Sequence, residues 1–246
     1  MRSIKFLLPA LLLISVAANG QSRVSAGVDW KIRKGLHLDA GYEMRLSDDC
    51  SSIERNQLGV GIQYSPFKHF DVGAGYSYIG HYDDEGTLKP RHRVYLDVMG
   101  SYKFGSWKVS LKERLQLTHK SYDFNEFQQT PNLVELKSRL KVAYKGFAHL
   151  DPYAYVELKN CFNGPSFETD SGYKFLGYYD AYLNRTRLAL GVEWNISGHH
   201  AIDFRFMGDF CRNKDIDVNA EGTKLKSYSL VESFRPALCA GYVFSF

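Results

Sequence analysis

Charged side chains fall at alternate positions along many short segments of this chain of 246 residues. Arginine and lysine outnumber aspartate and glutamate at these positions, so the set has a basic bias. If these residues share one face, they can fill an interior as paired charges, because an unpaired buried charge is very costly. They can also line a narrow conduit that selects small anions. We assign to this charge network Glu43, Arg45, Arg93, Lys112, Arg114, Arg139, Glu157, Arg185, Arg187, Glu193 and Arg205.

Signatures of catalysis and metal binding are weaker than the charge pattern. His37, His92 and His119 have no motif that connects them to a serine nucleophile, which covalent catalysis by a serine requires. His199 and His200 are adjacent, and neighbouring residues of a strand point to opposite faces, so a shared metal site is not expected. We therefore predict no catalytic residue, no cofactor and no metal site.

The elements that position the charges are β-strands, because apolar and polar residues alternate with a period of two along eleven segments. Residues 36–46 show the sharpest alternation, with leucines at even positions opposite Asp39, Glu43 and Arg45. The segments are residues 23–32, 36–46, 57–64, 70–78, 93–103, 107–117, 134–144, 153–159, 185–194, 202–210 and 238–246.

Glu113 is the exception to this alternation. It falls on the apolar face of its segment, between Leu111 and Leu115. A carboxylate that faces lipid is unfavourable, so either a β-bulge shifts the register near Glu113 or the face of this segment is misassigned. The sequence alone leaves both explanations open.

Both ends of the chain suggest export to an envelope. Arg2 and Lys5 precede an apolar run from Phe6 to Ala18, a pattern typical of a secretory signal peptide cleaved near Gly20. The last strand ends on an aromatic residue, and a closing strand of this kind resembles those of bacterial outer-membrane β-barrels, which the barrel-assembly machinery recognises. The residues that we assign to this assembly signal are Tyr242, Phe244 and Phe246.

The connections between segments alternate between short and long. Short turns are expected at residues 33–35, 65–69, 105–106, 145–151 and 197–199, and longer loops at residues 47–56, 80–92, 119–132, 160–184 and 211–224. Short periplasmic turns and long extracellular loops are typical of outer-membrane barrels. An aromatic girdle is expected near the short turns, formed by Phe70, Phe104, Trp107, Phe147, Trp194 and Phe246.

The fold class that these patterns predict is all-β: a transmembrane, antiparallel, up-and-down β-barrel with a polar, filled lumen. Residues 1–20 form the signal peptide and residues 21–246 one barrel domain, without a linker that divides them. Because single-chain bacterial barrels close with an even number of strands, we expect ten strands, with twelve as the alternative. Residues 22–32 would then lie outside the barrel wall, as a periplasmic or lumen-side strand.

The chain resembles a family of outer-membrane barrels from Bacteroidetes known as domain of unknown function 2490. The resemblance covers the whole exported chain and rests on Trp30, on Glu43 with Arg45, on Pro152 with Glu157, on residues 184–188 and on the aromatic terminus. It implies a fold and a location in the outer membrane. It implies no reaction and no substrate.

The predicted function is therefore that of an outer-membrane barrel, either structural or a narrow channel for small anionic solutes. The alternative is a barrel enzyme that acts on envelope lipid. Expected partners are outer-membrane lipid and the barrel-assembly machinery. The formal charge of +4, which falls to +2 without Arg2 and Lys5, gives no argument for nucleic acid.

Four cysteines complete the sequence features. Cys50 and Cys161 are expected in extracellular loops, Cys211 at the end of a strand and Cys239 on the lumen face of the last strand. Export permits disulfide bonds, but their pairing is open.

Overall fold

A computed structural model of the chain describes residues 20–47, 50–83, 85–168, 174–221 and 224–246. The predicted signal peptide lies outside the described residues, apart from Gly20. Within these ranges there is no helix that is long and apolar enough to cross a membrane. The strands are β1 (Gln21–Arg33), β2 (Leu36–Leu46), β3 (Ile53–Phe67), β4 (Phe70–Tyr82), β5 (Leu88–Phe104), β6 (Trp107–Lys120), β7 (Asn132–Tyr144), β8 (Leu150–Glu168), β9 (Lys174–Asn195), β10 (His200–Val218) and β11 (Leu225–Ser245).

The strands form one closed barrel in which each strand pairs with its neighbours in the chain. All consecutive pairs are antiparallel, and the barrel closes by a parallel pairing of β1 with β11. This last ladder runs from Gln21 opposite Ala237 to Asp29 opposite Ser245. The predicted all-β barrel is confirmed.

The predicted number of ten strands, and its alternative of twelve, are wrong. The first segment, expected outside the wall, lies between β2 and β11 as a full member of the barrel. The even-number rule assumes that the first and last strands meet antiparallel. Here β1 and β11 both run toward the short turns, so a parallel ladder between them satisfies their backbone groups and closes the barrel with an odd number of strands.

Several strands extend further than the alternation predicts, and the largest extensions lie at the end of the barrel that carries the longer connections. Residues 160–184 and 211–224 are mostly hairpin rather than loop, because β8 continues to Glu168 and β10 to Val218. The last strand begins at Leu225 and not at Leu238. We call this end of the barrel the long-loop end and the opposite one the short-turn end. Connections at the short-turn end, such as residues 34–35 and 105–106, remain the shortest.

The long-loop end is covered by its own hairpins and by the connection between β6 and β7. The Phe127 ring meets the Phe175 ring at 5.3 Å, and the Phe167 ring meets the Tyr228 ring at 5.6 Å. Gln128 Nε2 donates to the carbonyl oxygen of Ile216 at 2.8 Å. These contacts join three separate connections into one cap over this end of the barrel.

The two faces of the wall differ sharply in chemistry. Apolar residues point outward, and Leu58, Leu96 and Leu190 expose 56%, 61% and 65% of their surface. Charged and polar residues point into the lumen, where Glu157 and Gln116 are fully buried. The predicted alternation thus places its apolar face outside and its charged face inside, as a polar lumen requires.

Glu113 points outward between the exposed side chains of Leu111 and Leu115. Neither pairing of β6 contains a bulge, so both explanations that the sequence offered for this residue are wrong. The Ser138 hydroxyl, directly opposite on β7, donates a 2.6 Å hydrogen bond to Oε2 of Glu113. The carboxylate therefore stays on the apolar face with a neighbouring hydroxyl as its partner.

At the long-loop end, β11 is paired on one side only, as far as the described residues extend. β10 pairs with β11 along its whole length, whereas β1 begins at Gln21, opposite Ala237. The edge of β11 from Leu225 to Pro236 is consequently unpaired on the β1 side. Pro236 lacks an N–H group, which is one way in which strand edges are protected from unwanted pairing.

The parallel closure predicts a specific cross-link. With the four native cysteines replaced by alanine, Val24→Cys and Ala240→Cys should form a disulfide bond, because the two residues are partners in adjacent strands about 4.8 Å apart. Non-reducing gel mobility and mass spectrometry of the folded protein measure this bond.

The matched control for this cross-link is Met44→Cys with Ala240→Cys. β1 separates these two positions, so their Cα atoms lie about 10 Å apart and should not be joined. Cross-linking of this second pair, without the first, would mean that β2 adjoins β11 and that β1 lies outside the wall.

Candidate functional site: the charged lumen

The centre of the lumen is organised by Glu157 on β8. Arg139 Nε donates to Glu157 Oε2 at 2.8 Å, and Arg185 Nη2 donates to Glu157 Oε1 at 2.6 Å. Arg187 Nη1 lies 3.7 Å from the same Oε1. The Glu157 side chain is 2% exposed, so one buried carboxylate holds three guanidinium groups from β7 and β9.

A second carboxylate, Asp209 on β10, continues the network toward β1. Arg187 donates to both Asp209 oxygens, at 2.5 and 2.7 Å, in the bidentate geometry that suits guanidinium and carboxylate groups. Arg23 of β1 donates to Asp209 Oδ2 at 3.3 Å, and Arg185 Nη1 lies 3.7 Å from it. Glu157 and Asp209 thereby share Arg185 and Arg187, so charges from β1, β7, β8, β9 and β10 form one connected set.

A separate cluster is centred on Asp97 of β5. Arg114 donates to both of its oxygens at 2.6 and 2.7 Å, and Lys112 Nζ lies 2.8 Å from Oδ2. The Arg114 guanidinium also lies 3.8 Å from the centre of the Tyr95 ring, a cation–π contact. A Cβ atom at Gly75 would collide with this tyrosine ring, which explains why the wall of β4 carries glycine there.

Two smaller pairs complete the interior near the long-loop end. Lys159 Nζ lies 2.7 Å from Glu135 Oε1, and Gln116 donates to Glu135 Oε2 at 2.5 Å. Glu43 accepts a 2.9 Å hydrogen bond from Arg45 Nε on its own strand. All these carboxylates are held by cations, which is the arrangement that makes buried charge tolerable.

A cavity of about 220 Å³ lies among these groups, and we call it the central cavity. Its only acidic lining residues within the described ranges are Glu43, Glu135 and Glu157. The cationic lining residues are Arg23, Arg45, Arg55, Arg93, Arg114, Lys137, Arg139, Lys159, Arg185, Arg187 and Arg205. The centre of the lumen is therefore strongly basic.

Two further cavities adjoin the central cavity. One, of about 390 Å³, lies against the small residues of β1 to β4 and shares Glu43, Gln57 and Arg114 with it. The other, of about 110 Å³, shares Lys137 and Arg139 with it. The shared lining residues make the three cavities neighbours, so the filled lumen still contains space beside its charges.

The structure brings together ten of the eleven residues predicted for the charge network, either in these ion pairs or in the lining of the cavities. Glu193 is the exception. It lies in the lumen near the short-turn end, where its cross-strand neighbours are Asp151 and Asp203, and not in the basic centre. Its position along β9 places it at another level of the barrel, so its membership of the network stays a prediction.

Arg23 and Arg55 belong to the lumen and were missed by the sequence analysis. Arg23 lies in the segment that had been placed outside the wall, and Arg55 precedes the predicted start of its strand. Both residues occupy the same parity as the polar residues that follow them. Extending the period of two by one step would have identified Arg55, and placing the first segment in the wall would have identified Arg23, which already lies on its polar face.

The residues of the predicted assembly signal share the outward face of β11. The Phe244 and Phe246 rings meet edge to face at 4.6 Å, and a 2.6 Å hydrogen bond joins the Tyr242 hydroxyl to Nδ1 of His200. The Phe246 amide donates to the carbonyl oxygen of Asp29 at 2.9 Å. The end of the chain is thus fixed to β1 by its backbone and presents aromatic rings outward.

The histidines considered as catalytic candidates have other partners. Nδ1 of His37 lies 2.8 Å from Asp29 Oδ1 in the lumen. Nδ1 of His119 lies 2.8 Å from Asn132 Oδ1, and Nδ1 of His92 is hydrogen-bonded to the Tyr76 hydroxyl at 2.6 Å, both on the outward face. These contacts orient the rings toward neighbouring strands of the wall.

The cysteines are all free in the structure. Cys161 was expected in a loop but lies within β8 and is buried, since that strand extends beyond its predicted end. Cys211 lies inside β10, not at its end, and pairs across the ladder with Ser233. Cys50 is exposed in the connection after β2, and Cys239 is buried on the lumen face, as predicted.

Comparisons with known proteins give a family and one related fold. A family model described as "Protein of unknown function (DUF2490)" matches residues 42–219, a range that contains β3 to β10 in full. No curated protein matches the chain. A solved structure described as "Outer-membrane expressed OmpT of Vibrio cholerae" is similar, with 14% sequence identity and a TM-score of 0.40. The match covers 81% of this chain and 58% of that one.

The shared use of Glu157 predicts a large effect of its removal. Glu157→Gln leaves Arg139, Arg185 and Arg187 without their main partner, and breaking a buried pair in this way costs roughly 3 kcal/mol or more. Urea unfolding followed by tryptophan fluorescence measures the loss in the free energy of unfolding.

The control for this prediction is Glu232→Gln. Glu232 forms an exposed ion pair with Arg212, and exposed pairs contribute little to stability. We expect its unfolding midpoint to stay close to that of the wild type. Equal losses from the two substitutions would contradict a central role of Glu157.

Proposed function

Because the chain belongs to the DUF2490 family of proteins of unknown function, which supplies no activity, we propose from its geometry that it is an outer-membrane β-barrel with a narrow, basic conduit for small anions. The observation that carries the proposal is the distribution of residues across the wall. Large apolar side chains cover the outside, and the charges lie inside.

The outward face supports insertion into a bilayer. A water-soluble barrel buries its apolar residues inside, and extended exposed apolar surface on a soluble monomer is rare. In this chain the outward residues Leu96, Leu188 and Leu190 are more than half exposed. Hydrocarbon around the wall gives these residues the apolar environment that the lumen does not provide.

Aromatic residues support an orientation of the barrel in the membrane. The predicted girdle residues are outward-facing and exposed near the short-turn end, and they are Phe70, Phe104, Trp107, Phe147, Trp194 and Phe246. Aromatic belts mark the boundary between hydrocarbon and headgroups. The short-turn end would accordingly face the periplasm and the capped long-loop end the exterior.

The lumen supports a preference for anions. Taken together, the three neighbouring cavities are lined by more cations than carboxylates, and lumen charges tune the selectivity of barrels. The cavities are small and the long-loop end is covered, so conduction would be weak and limited to small ions. A purely structural barrel is the competing reading, and conduction separates the two.

Planar-bilayer recording tests the conduit. The refolded protein should give a small single-channel conductance in potassium chloride, and under a salt gradient its reversal potential should shift toward that of chloride, because the lumen repels cations. Vesicles holding the same protein can be assayed for lipid hydrolysis, which tests the enzymatic alternative. A preference for potassium would contradict a basic conduit, and silent bilayers would favour the structural role.

The assembly signal gives a separate prediction about Phe246. Its deletion, or Phe246→Asp, should sharply lower the amount of outer-membrane protein with heat-dependent gel mobility at matched synthesis. Lost burial of one aromatic ring costs only about 1.5 to 3 kcal/mol, so a larger drop in yield reports failed assembly.

Ser245→Ala is the matched control for the Phe246 variants. Ser245 precedes Phe246 on the opposite face and should leave the membrane yield nearly unchanged. Recovery of the wild-type protein in the soluble periplasmic fraction would contradict the proposed location. If the Phe246 deletion reaches the membrane at the level of the wild type, only the assembly signal is contradicted.

A further inference from the structure

We propose that the central cavity is a binding site for one tetrahedral oxyanion such as phosphate or sulfate, held by Arg55, Arg93 and Lys137. The inference deepens the proposed anion conduit, because it assigns to that conduit a saturable site and a ligand class. Its evidence is separate from the evidence for membrane insertion and consists of cations and donors that the chain leaves unpaired.

The carboxylates around the cavity are already used by other cations. Glu157 binds Arg139 and Arg185, Glu135 binds Lys159, and Glu43 binds Arg45. Arg55, Arg93 and Lys137 form no ion pair with any of these carboxylates.

Arg55, Arg93 and Lys137 have no carboxylate at ion-pair distance in the described part of the chain. Arg55 donates to Gln57, and Arg93 Nε donates to Thr118 Oγ1 at 3.0 Å, so both guanidinium groups have only neutral partners. Lys137 lines both the central cavity and the adjoining smaller one. Three cationic side chains therefore line the same cavity without an ion-pair partner in the described residues.

Orphaned donors point to the same conclusion independently of charge. The Nε atoms of Arg23, Arg55, Arg185 and Arg205 are buried and have no hydrogen-bond partner. All four residues line the central cavity. Buried polar groups normally have hydrogen-bond partners, because a buried donor without a partner loses its hydration and gains nothing in return. This cost in free energy is larger for a charged group than for a neutral one. An acceptor that occupies the cavity would satisfy groups that the protein itself does not.

The chemistry of these donors selects the ligand class. Guanidinium groups match the geometry of tetrahedral and planar oxyanions, and a dianion compensates several unpaired cations at once. A chloride ion offers one charge and no array of oxygen acceptors. The cavity of about 220 Å³ is smaller than the usual 300 to 1,000 Å³ of pockets for drug-sized ligands, which excludes a nucleotide. Because the cavity lies inside the closed wall, the ligand is a free ion and not the headgroup of a membrane lipid.

Thermal unfolding of the full refolded barrel in detergent tests the site with inorganic phosphate as the probe. At constant ionic strength, phosphate and sulfate should raise the unfolding midpoint saturably, and chloride should not. A ligand that binds only the folded state stabilises it by mass action. A midpoint that is equally insensitive to phosphate, sulfate and chloride overturns the site.

Lys137→Met is the diagnostic variant. Without phosphate it should be at least as stable as the wild type, because it removes an unpaired cation from a basic cavity. With phosphate it should gain little, and its apparent affinity should fall about tenfold or more. Arg93→Gln provides a second variant with the same expected loss, should Lys137→Met fail to fold. If both variants respond to phosphate as the wild type does, the assignment of the site is wrong.

Lys108→Gln is the control, since Lys108 is exposed near the short-turn end and does not line the central cavity. It makes the same change in net charge and should keep the phosphate response.

Chloride current separates this proposal from the conduit. In bilayers, phosphate should block the current saturably in the wild type and much less in Lys137→Met. Current without a phosphate response supports the conduit and overturns the site. Phosphate stabilisation without any current supports the site and overturns the conduit.

Discussion

Closure of one sheet on itself is the constraint on which the rest of this structure depends. A closed wall leaves no free edge over most of its length and divides every strand into one inward and one outward face. The outward face can then be uniformly apolar, as Leu58 and Leu96 illustrate, while the inward face collects charge. Glu113 shows how strictly the alternation assigns each position to a face. This carboxylate stays on the outward face and accepts a hydrogen bond from a hydroxyl group of the next strand.

Closure also explains the character of the lumen. A barrel of this size encloses a space that long side chains can nearly fill, so charges from adjacent strands, and from β1 and β10 on either side of β11, meet one another. Glu157 and Asp209 each serve several guanidinium groups because the interior contains more cations than carboxylates. The shortage of carboxylates is what gives the lumen its basic centre, and it links the stability of the wall to the ions that the lumen can accept.

The sequence predicts the strands and their faces well, because a period of two is a local property that each segment carries by itself. It predicts the ends of strands poorly. β8 and β10 continue past their last clear alternation because neighbouring strands supply hydrogen bonds there, and that supply is not written in the local pattern. The parallel partner of β1 depends on residues at the other end of the chain. The same limit applies to the site: parity identifies Arg93 and Glu157 as inward, but only the stagger of the strands shows that Glu193 lies at a different level.

The pairing of β1 with β11 also has a consequence for the order in which the wall is built. Every other ladder joins strands that follow one another in the chain, whereas this one joins residues as distant as Gln21 and Ala237. Contacts of long sequence separation form late, because the entropy of closing a long loop must be overcome first. Parallel ladders are also slightly weaker per residue than antiparallel ones. We therefore expect the ladder between β1 and β11 to form last, and to be the first to separate when the barrel is pulled apart mechanically.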